Sequence, residues 1–214
     1  MLPDTRALRA LARRDPRLGA AMRRLAPFPG FPTGALARGT HFHALARAIV
    51  YQQLATRAAA AIHARVCTLT KGSGFPSPSE LLGLPMASLR AAGLSQAKAL
   101  SLHELAARFE SGELRHRSLG RLGDEQVIER LVAVRGIGVW SAQMFLIFRL
   151  GRLDVMPAGD LGVREGVRWL DDLAERPTPG EVLARSEPWR PLRSVASWTL
   201  WRLVEEARQS GAPR

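Results

Sequence analysis

Apolar residues recur along this chain at intervals of three and four, the spacing of one helix face. Leu8, Leu11, Leu18, Met22 and Leu25 mark such a face, and Pro16 predicts a break between two short helices. The run Pro27-Phe-Pro-Gly-Phe-Pro32 predicts a linker, because prolines at that density interrupt regular structure. Residues 41–66 predict two helices joined near Gln52-Gln53-Leu54. Leu45 and Ile49 should face inward in the first, and Ala58, Ile62 and Val66 in the second. Ser77 and Thr178 each stand before a proline and three residues ahead of a glutamate, the capping-box signature of a helix start. Gly93 should end a short helix, with Leu102, Leu105, Ala106 and Phe109 striping the next. Val163, Val167 and Leu170 mark another, and a final helix should run over about 192–208. No stretch sustains a period of two, so the predicted class is all-α.

The most informative stretch is 127–149. Asp124 is its predicted cap, and Val127, Ile128, Leu131 and Val134 share one face. Gly136 and Gly138 then supply the backbone freedom, including positive φ, that a chain reversal between packed helices needs. The second helix, from about Val139 to Leu150, is apolar on nearly every side and should be buried, with its N-terminus at the turn. There the first N–H groups and the positive end of the dipole suit a phosphate. The lysine of a Walker loop is absent. On residues alone, the turn reads first as a connection between core helices and second as an anion cradle.

Composition narrows the classes. A chain of 214 residues with 46% hydrophobic content can bury a sizeable core, here expected as two helical lobes. No apolar run approaches the roughly 20 residues of a membrane span. The Met1–Arg6 start lacks the apolar segment of an export signal, so a cytoplasmic location, nucleoid-associated in a bacterium, is expected. The single cysteine, Cys67, excludes an internal disulfide and a four-cysteine iron–sulfur site. His41, His43, His63, His103 and His116 show no metal-ligand spacing and read as surface or satisfied polar residues. A net charge of +12 points to a polyanion, nucleic acid first, although arginine-rich composition can simply solvate a surface. Lys71 and Lys98 are the only lysines.

Asp160 follows Pro157-Ala-Gly159 and precedes an apolar helical pattern, so its ordinary role is an N-cap. The same position holds a carboxylate ionised and fixed in direction. Trp198 and Trp201 fall in an amphipathic helix, where core packing competes with any binding role. Leu54 alone would read as core.

Two segments carry a resemblance to a known family. Leu131-Val-Ala-Val-Arg-Gly-Ile-Gly-Val-Trp-Ser-Ala142 resembles the helix-hairpin-helix of the DNA glycosylase superfamily. Asp154-Val-Met-Pro-Ala-Gly-Asp160-Leu-Gly-Val163 resembles that superfamily's Gly/Pro-rich loop and catalytic aspartate. The branch it looks most like is the 3-methyladenine DNA glycosylase II type, and the likeness runs from about His41 to Trp201. It implies an all-α, two-lobed fold. Residues 1–40 and 156–214 would form a terminal lobe, and 41–155 a central lobe carrying the hairpin. Longer relatives place an α/β domain ahead of the helical core, where this sequence has an arginine-rich helical segment.

The resemblance also implies roles. Asp160 would be catalytic; Gly136, Gly138 and Ser141 would hold DNA phosphates. Trp201, Trp140, Met144 and Tyr51 would line the base pocket, with Met144 where some relatives use an aromatic. Leu54 and Gln53 would form the wedge that fills the gap left by a flipped nucleotide. Trp140 occupies the position of the Schiff-base lysine of bifunctional relatives, which implies a monofunctional enzyme using water. No cofactor is required, although a structural sodium or potassium ion would sit on the carbonyls of Val132, Val134 and Gly136. The implied activity is hydrolysis of the N-glycosidic bond of alkylated bases in double-stranded DNA, leaving an abasic site, by a monomer without membrane attachment. The alternatives are a non-catalytic helix-hairpin-helix DNA-binding protein and a glycosylase for oxidised or deaminated bases.

Overall fold

The computed structural model describes residues 2–72, 74–114 and 119–210, and His116 therefore lies outside the described residues. Among the described residues there is no strand. Two compact units form, one from Met1–Thr33 with Leu146–Arg214 and one from Gly34–Phe145. The boundaries anticipated at 40/41 and 155/156 thus fall at 33/34 and 145/146. The second lies inside a helix, because a segment apolar all round can feed two cores without a break in the chain.

The first unit contains α1 (Thr5–Arg14), α2 (Pro16–Arg24), α10 (Leu161–Asp171), α11 (Pro179–Arg185) and α12 (Arg193–Gln209). The break before Pro16 is as predicted, and Asp15 caps α2 by accepting the Leu18 N–H at 3.0 Å. Asp15 is 4% exposed and also accepts the Trp189 indole N–H at 2.7 Å and the Arg185 guanidinium at 2.6 Å. Burial opposes the charge on Asp15, but these donors together hold its pKa below the ordinary carboxylate value. One acid therefore ties the N-terminal helices to the segment around Trp189. Leu11, Leu18, Val163, Val167, Trp189, Val195 and Leu200 fill the core between them.

The proline run is not merely a linker. Phe31 is fully buried, with its ring centroid 4.8 Å from Phe28 and 5.3 Å from Phe148, both edge-on. Proline forbids the helix at this point but leaves the intervening aromatics available to the core.

The second unit contains α3 (His41–Tyr51), α4 (Thr56–Cys67), α5 (Pro78–Gly83), α6 (Met86–Ala91), α7 (Gln96–Glu110), α8 (Asp124–Val132) and the start of α9 (Val139–Phe148). The capping box at Ser77 is present, as is the one at Thr178 in the first unit. Two local expectations are corrected. Ala58 is exposed and its neighbour Ala59 is buried in its place, while Ile62 is half-buried and Val66 buried as expected. Asp124 is the first residue of α8 and not its cap; Gly123 takes that place, its N–H donating to Gln126 Oε1 at 3.1 Å.

Helix α7 is the scaffold of this unit, with Leu102, Leu105 and Ala106 fully buried. Arg108 extends from it to donate to the carbonyl of Ala133, at the end of α8, at 2.9 Å. His43 and His63 meet at 3.2 Å between ring nitrogens and stack beside Phe75. Burial, with His43 and Arg47 nearby, pushes the His63 pKa down to about 4. Among the described residues no group of three His, Cys, Asp or Glu side chains is placed to hold a metal ion.

Asp15→Ala should destabilise the protein by roughly 3 kcal/mol, the scale of breaking a buried charge pair from one side. Urea unfolding measures it; a loss comparable to that of an exposed cap, about 1 kcal/mol, would reject the role given to Asp15.

Candidate functional site

The hairpin between α8 and α9 is built by contact with α7. Gly136 has φ +80°, and a Cβ there would lie 2.8 Å from Ser101 Oγ, so glycine is demanded by both backbone and space. Gly138 differs from the expectation. It is absent from the positive-φ residues, and a Cβ added to it would meet nothing within 4 Å. Its small size therefore serves the open side of the turn, where an external group can approach the N-terminus of α9.

That N-terminus is more exposed than the apolar pattern suggested. Ala142, Phe145, Leu146 and Ile147 are buried, but Val139 and Trp140 are 52% and 51% exposed. Met144 is buried at 8% exposure, and Ser141 is half-buried. The first turn of α9 presents backbone N–H groups that a helix cannot satisfy internally.

The turn after α3 lies against this hairpin. Gln52 Nε2 donates to the carbonyl of Gly136 at 2.8 Å. Gln53 takes φ +53°, and Leu54 is 40% exposed, so the expected wedge residues stand at the surface and not in the core. Lys98 Nζ, on α7, donates to the carbonyls of Val50 and Gln52 at 2.8 and 2.7 Å. At the end of α3 the Arg47 guanidinium covers the Tyr51 ring at 3.7 Å, and His63 meets it edge-on at 6.2 Å.

The carbonyls expected to hold an alkali ion are partly engaged. Val134 O accepts the Ile137 N–H at 3.1 Å, and Gly136 O accepts Gln52. Each carbonyl has a second lone pair, so neutral hard oxygens remain compatible with sodium or potassium.

In the other unit, the loop before α10 is anchored at its start and capped at its end. Arg193 binds Asp154 through Nε at 2.9 Å and through Nη2 at 3.1 Å, and reaches the Asp154 carbonyl at 2.7 Å. Arg190 adds a contact to Asp154 Oδ2 at 3.1 Å. Ser194 Oγ accepts the Val155 N–H at 2.9 Å, and the Ser194 N–H donates to Leu153 O at 2.9 Å. The Asp160 N–H then closes a turn onto Pro157 O at 2.9 Å.

Asp160 is the N-cap of α10, as its position in the sequence indicated, and its Oδ1 accepts the Val163 N–H at 2.8 Å. The same oxygen accepts the Trp201 indole N–H at 2.8 Å. Trp201 is itself held face to face with Phe148, at 5.5 Å and 27°. Gly162 makes this possible, since a Cβ there would sit 2.8 Å from Trp201 Cδ1 and 3.1 Å from Asp160 Oδ1. The carboxylate is therefore aimed by one backbone and one indole donor. Sequence reasoning paired neither Trp201 with Asp160 nor Gly162 with either. Two glycines at 159 and 162 around an acid were the available signal.

The glycine hairpin after α8 and the helix-capping Asp160 both fall within a stretch that matches a family of DNA repair proteins. Residues 46–191, more than half the chain, match the HhH-GPD superfamily of base excision DNA repair proteins, and the chain belongs to that superfamily. It is 39% identical over 172 residues to DNA-3-methyladenine glycosylase 1 of Schizosaccharomyces pombe, covering 80% of this chain and 75% of that protein. The solved complex of the S. pombe 3-methyladenine DNA glycosylase with abasic DNA superposes with a TM-score of 0.83 at 34% identity. It covers 98% of this chain and 100% of that one. A DNA-3-methyladenine glycosidase structure from Bacillus halodurans gives 0.84 at 33% identity, covering 98% and 92%. Trp201 lies beyond the matched span, so its role rests on its bond to Asp160.

Gly162→Ala should destabilise the protein by about 1–3 kcal/mol through overpacking against Trp201. Gly138→Ala, with open space around it, should change stability by less than about 1 kcal/mol. Paired urea titrations test this; equal losses would mean the Trp201 contact is not tight.

Proposed function

We propose that this protein is a monofunctional DNA glycosylase that removes alkylated bases, of the 3-methyladenine and 7-methylguanine type, from double-stranded DNA in base excision repair. The observation that carries the reading is Asp160, fixed by the Val163 and Trp201 N–H groups within the loop matched to the superfamily. The bond to Val163 is an ordinary helix cap, and the added Trp201 donor is what supports a chemical role.

In this mechanism the backbone N–H groups of Gly136, Gly138 and Ser141 take a DNA phosphate at the N-terminus of α9. The carbonyls of Val132, Val134 and Gly136 would hold an alkali ion, which would supply positive charge at the hairpin. The target nucleotide leaves the stack so that its C1′ comes beside Asp160. The C1′–N bond breaks, its electron pair departs with the base, and positive charge develops on the sugar. The Asp160 carboxylate stabilises that cation electrostatically. A water adds its oxygen to C1′, and the proton it loses passes to Asp160. N-alkylation makes the base cationic before cleavage, so the departing electron pair neutralises it and little acid assistance is required. Trp201 places its ring at the same carboxylate, where an aromatic face suits a cationic base.

The monofunctional assignment rests on Trp140, which stands where bifunctional relatives carry a lysine and which the turn leaves half exposed. No amine at that position offers a Schiff base to the sugar.

The test uses DNA treated with a methylating agent. Wild-type protein should release methylated purines detectable by mass spectrometry and leave abasic strands uncut on a denaturing gel. Asp160→Asn should abolish release. Asparagine caps a helix nearly as well as aspartate, so the fold and the affinity for abasic DNA should persist within a few-fold. Undiminished release by the variant, or strand scission by the wild type, would overturn the assignment.

A further inference from the structure

We propose that Lys98 and Gln52 are positioning residues that lock the wedge carrying Leu54 to the phosphate-binding hairpin. The proposal rests on the glycosylase reading above and adds to it a mechanical link between two of its parts.

The link is continuous in the geometry. Lys98 Nζ donates to Val50 O and Gln52 O, the last carbonyls of α3 and its cap. An ammonium at a helix C-terminus satisfies carbonyls that have no intrahelical donor and complements the negative end of the dipole. The Gln52 side chain then donates to Gly136 O, at the residue whose φ and close contact with Ser101 shape the hairpin. Lys98 and Ser101 lie on the same helix, α7, three residues apart. One helix therefore supports the hairpin through Ser101 and the wedge through Lys98, and Gln52 ties the two directly.

Chain conformation explains why such a tie is needed. Gln53 has φ +53°, a region that side chains other than glycine enter at an energetic penalty, and Leu54 follows it at the surface. An apolar side chain pushed into a base stack is useful only if its backbone does not yield. Without Lys98 and Gln52, the strained turn would relax and Leu54 would lose its register with the phosphate held at the hairpin.

The arrangement also assigns the one lysine that comes near the hairpin in space, which its place in the sequence did not suggest. Burial lowers its pKa, but the two carbonyls engage its protons as a donor and leave its role structural. A nucleophilic amine would need its lone pair directed at the sugar.

The experiment is a double-mutant cycle on duplex DNA, read as single-turnover base release, with 2-aminopurine opposite the lesion reporting wedge insertion. Lys98→Met and Leu54→Ala should each slow release by roughly ten-fold, the scale of a lost charged hydrogen bond. The double variant should be no slower than either alone, because an unanchored wedge has nothing left to lose. Lys98→Arg, which keeps two donors, should recover most of the rate, and Gln52→Ala should resemble Lys98→Met. Both Lys98→Met and Leu54→Ala should lose the 2-aminopurine signal while keeping wild-type binding to undamaged duplex. Additive losses, or a full fluorescence signal in Lys98→Met, would overturn the tether. A borohydride-trapped enzyme–DNA adduct that vanishes in Lys98→Met would instead make Lys98 the nucleophile. If Lys98→Met fails to fold, Gln52→Ala alone decides the same two outcomes. A wild-type protein that releases no base would sink the glycosylase reading itself.

Discussion

The chemistry proposed for this protein depends on one oxygen atom. Asp160 Oδ1 receives the first-turn N–H of α10 and the indole N–H of Trp201, each at 2.8 Å. Each bond alone is ordinary. Together they remove the rotational freedom of a short acidic side chain and fix the direction of its negative charge. The rest of the first unit serves this constraint: Arg193 and Ser194 hold the loop at Asp154 and Val155, and Phe148 braces the indole.

The second unit carries a different part of the proposal, the presentation of backbone N–H groups to a phosphate. A helix N-terminus is an anion site only if the chain before it turns away sharply and leaves room. Gly136 makes the turn against Ser101, and Gly138 leaves the room. Two basic side chains in this unit donate to backbone carbonyls: Arg108 to Ala133, and Lys98 to Val50 and Gln52. Positive charge near the hairpin is thus used in part to hold its shape.

Most of the helix pattern was legible in the sequence, because capping residues and three-four periodicity are local signals. Pro16, Ser77, Thr178 and Asp160 each mark a helix start that the structure contains. What was not legible depended on tertiary neighbours. Phe31 looks like part of a linker until a core closes around it, and in the second unit Ala58 and Ala59 differ only in which of them faces inward. Val139 and Trp140 belong to an apolar helix but sit at its exposed end, which composition cannot reveal. The partnership of Trp201 with Asp160 spans 41 positions, and that of Gln52 with Gly136 spans 84, so neither leaves a spacing to read. Lys98 was visible only through its rarity.

The central proposal is that Asp160 is the carboxylate that assists base release. The most direct measurement is a crystal structure of the protein with duplex DNA containing a cationic abasic-site analogue. The account predicts a phosphate on the N–H groups of Gly136, Gly138 and Ser141. It also predicts the Asp160 carboxylate in contact with the cationic ring of the analogue. An analogue bound with Asp160 turned away from the ring, or DNA held without the hairpin, would contradict it.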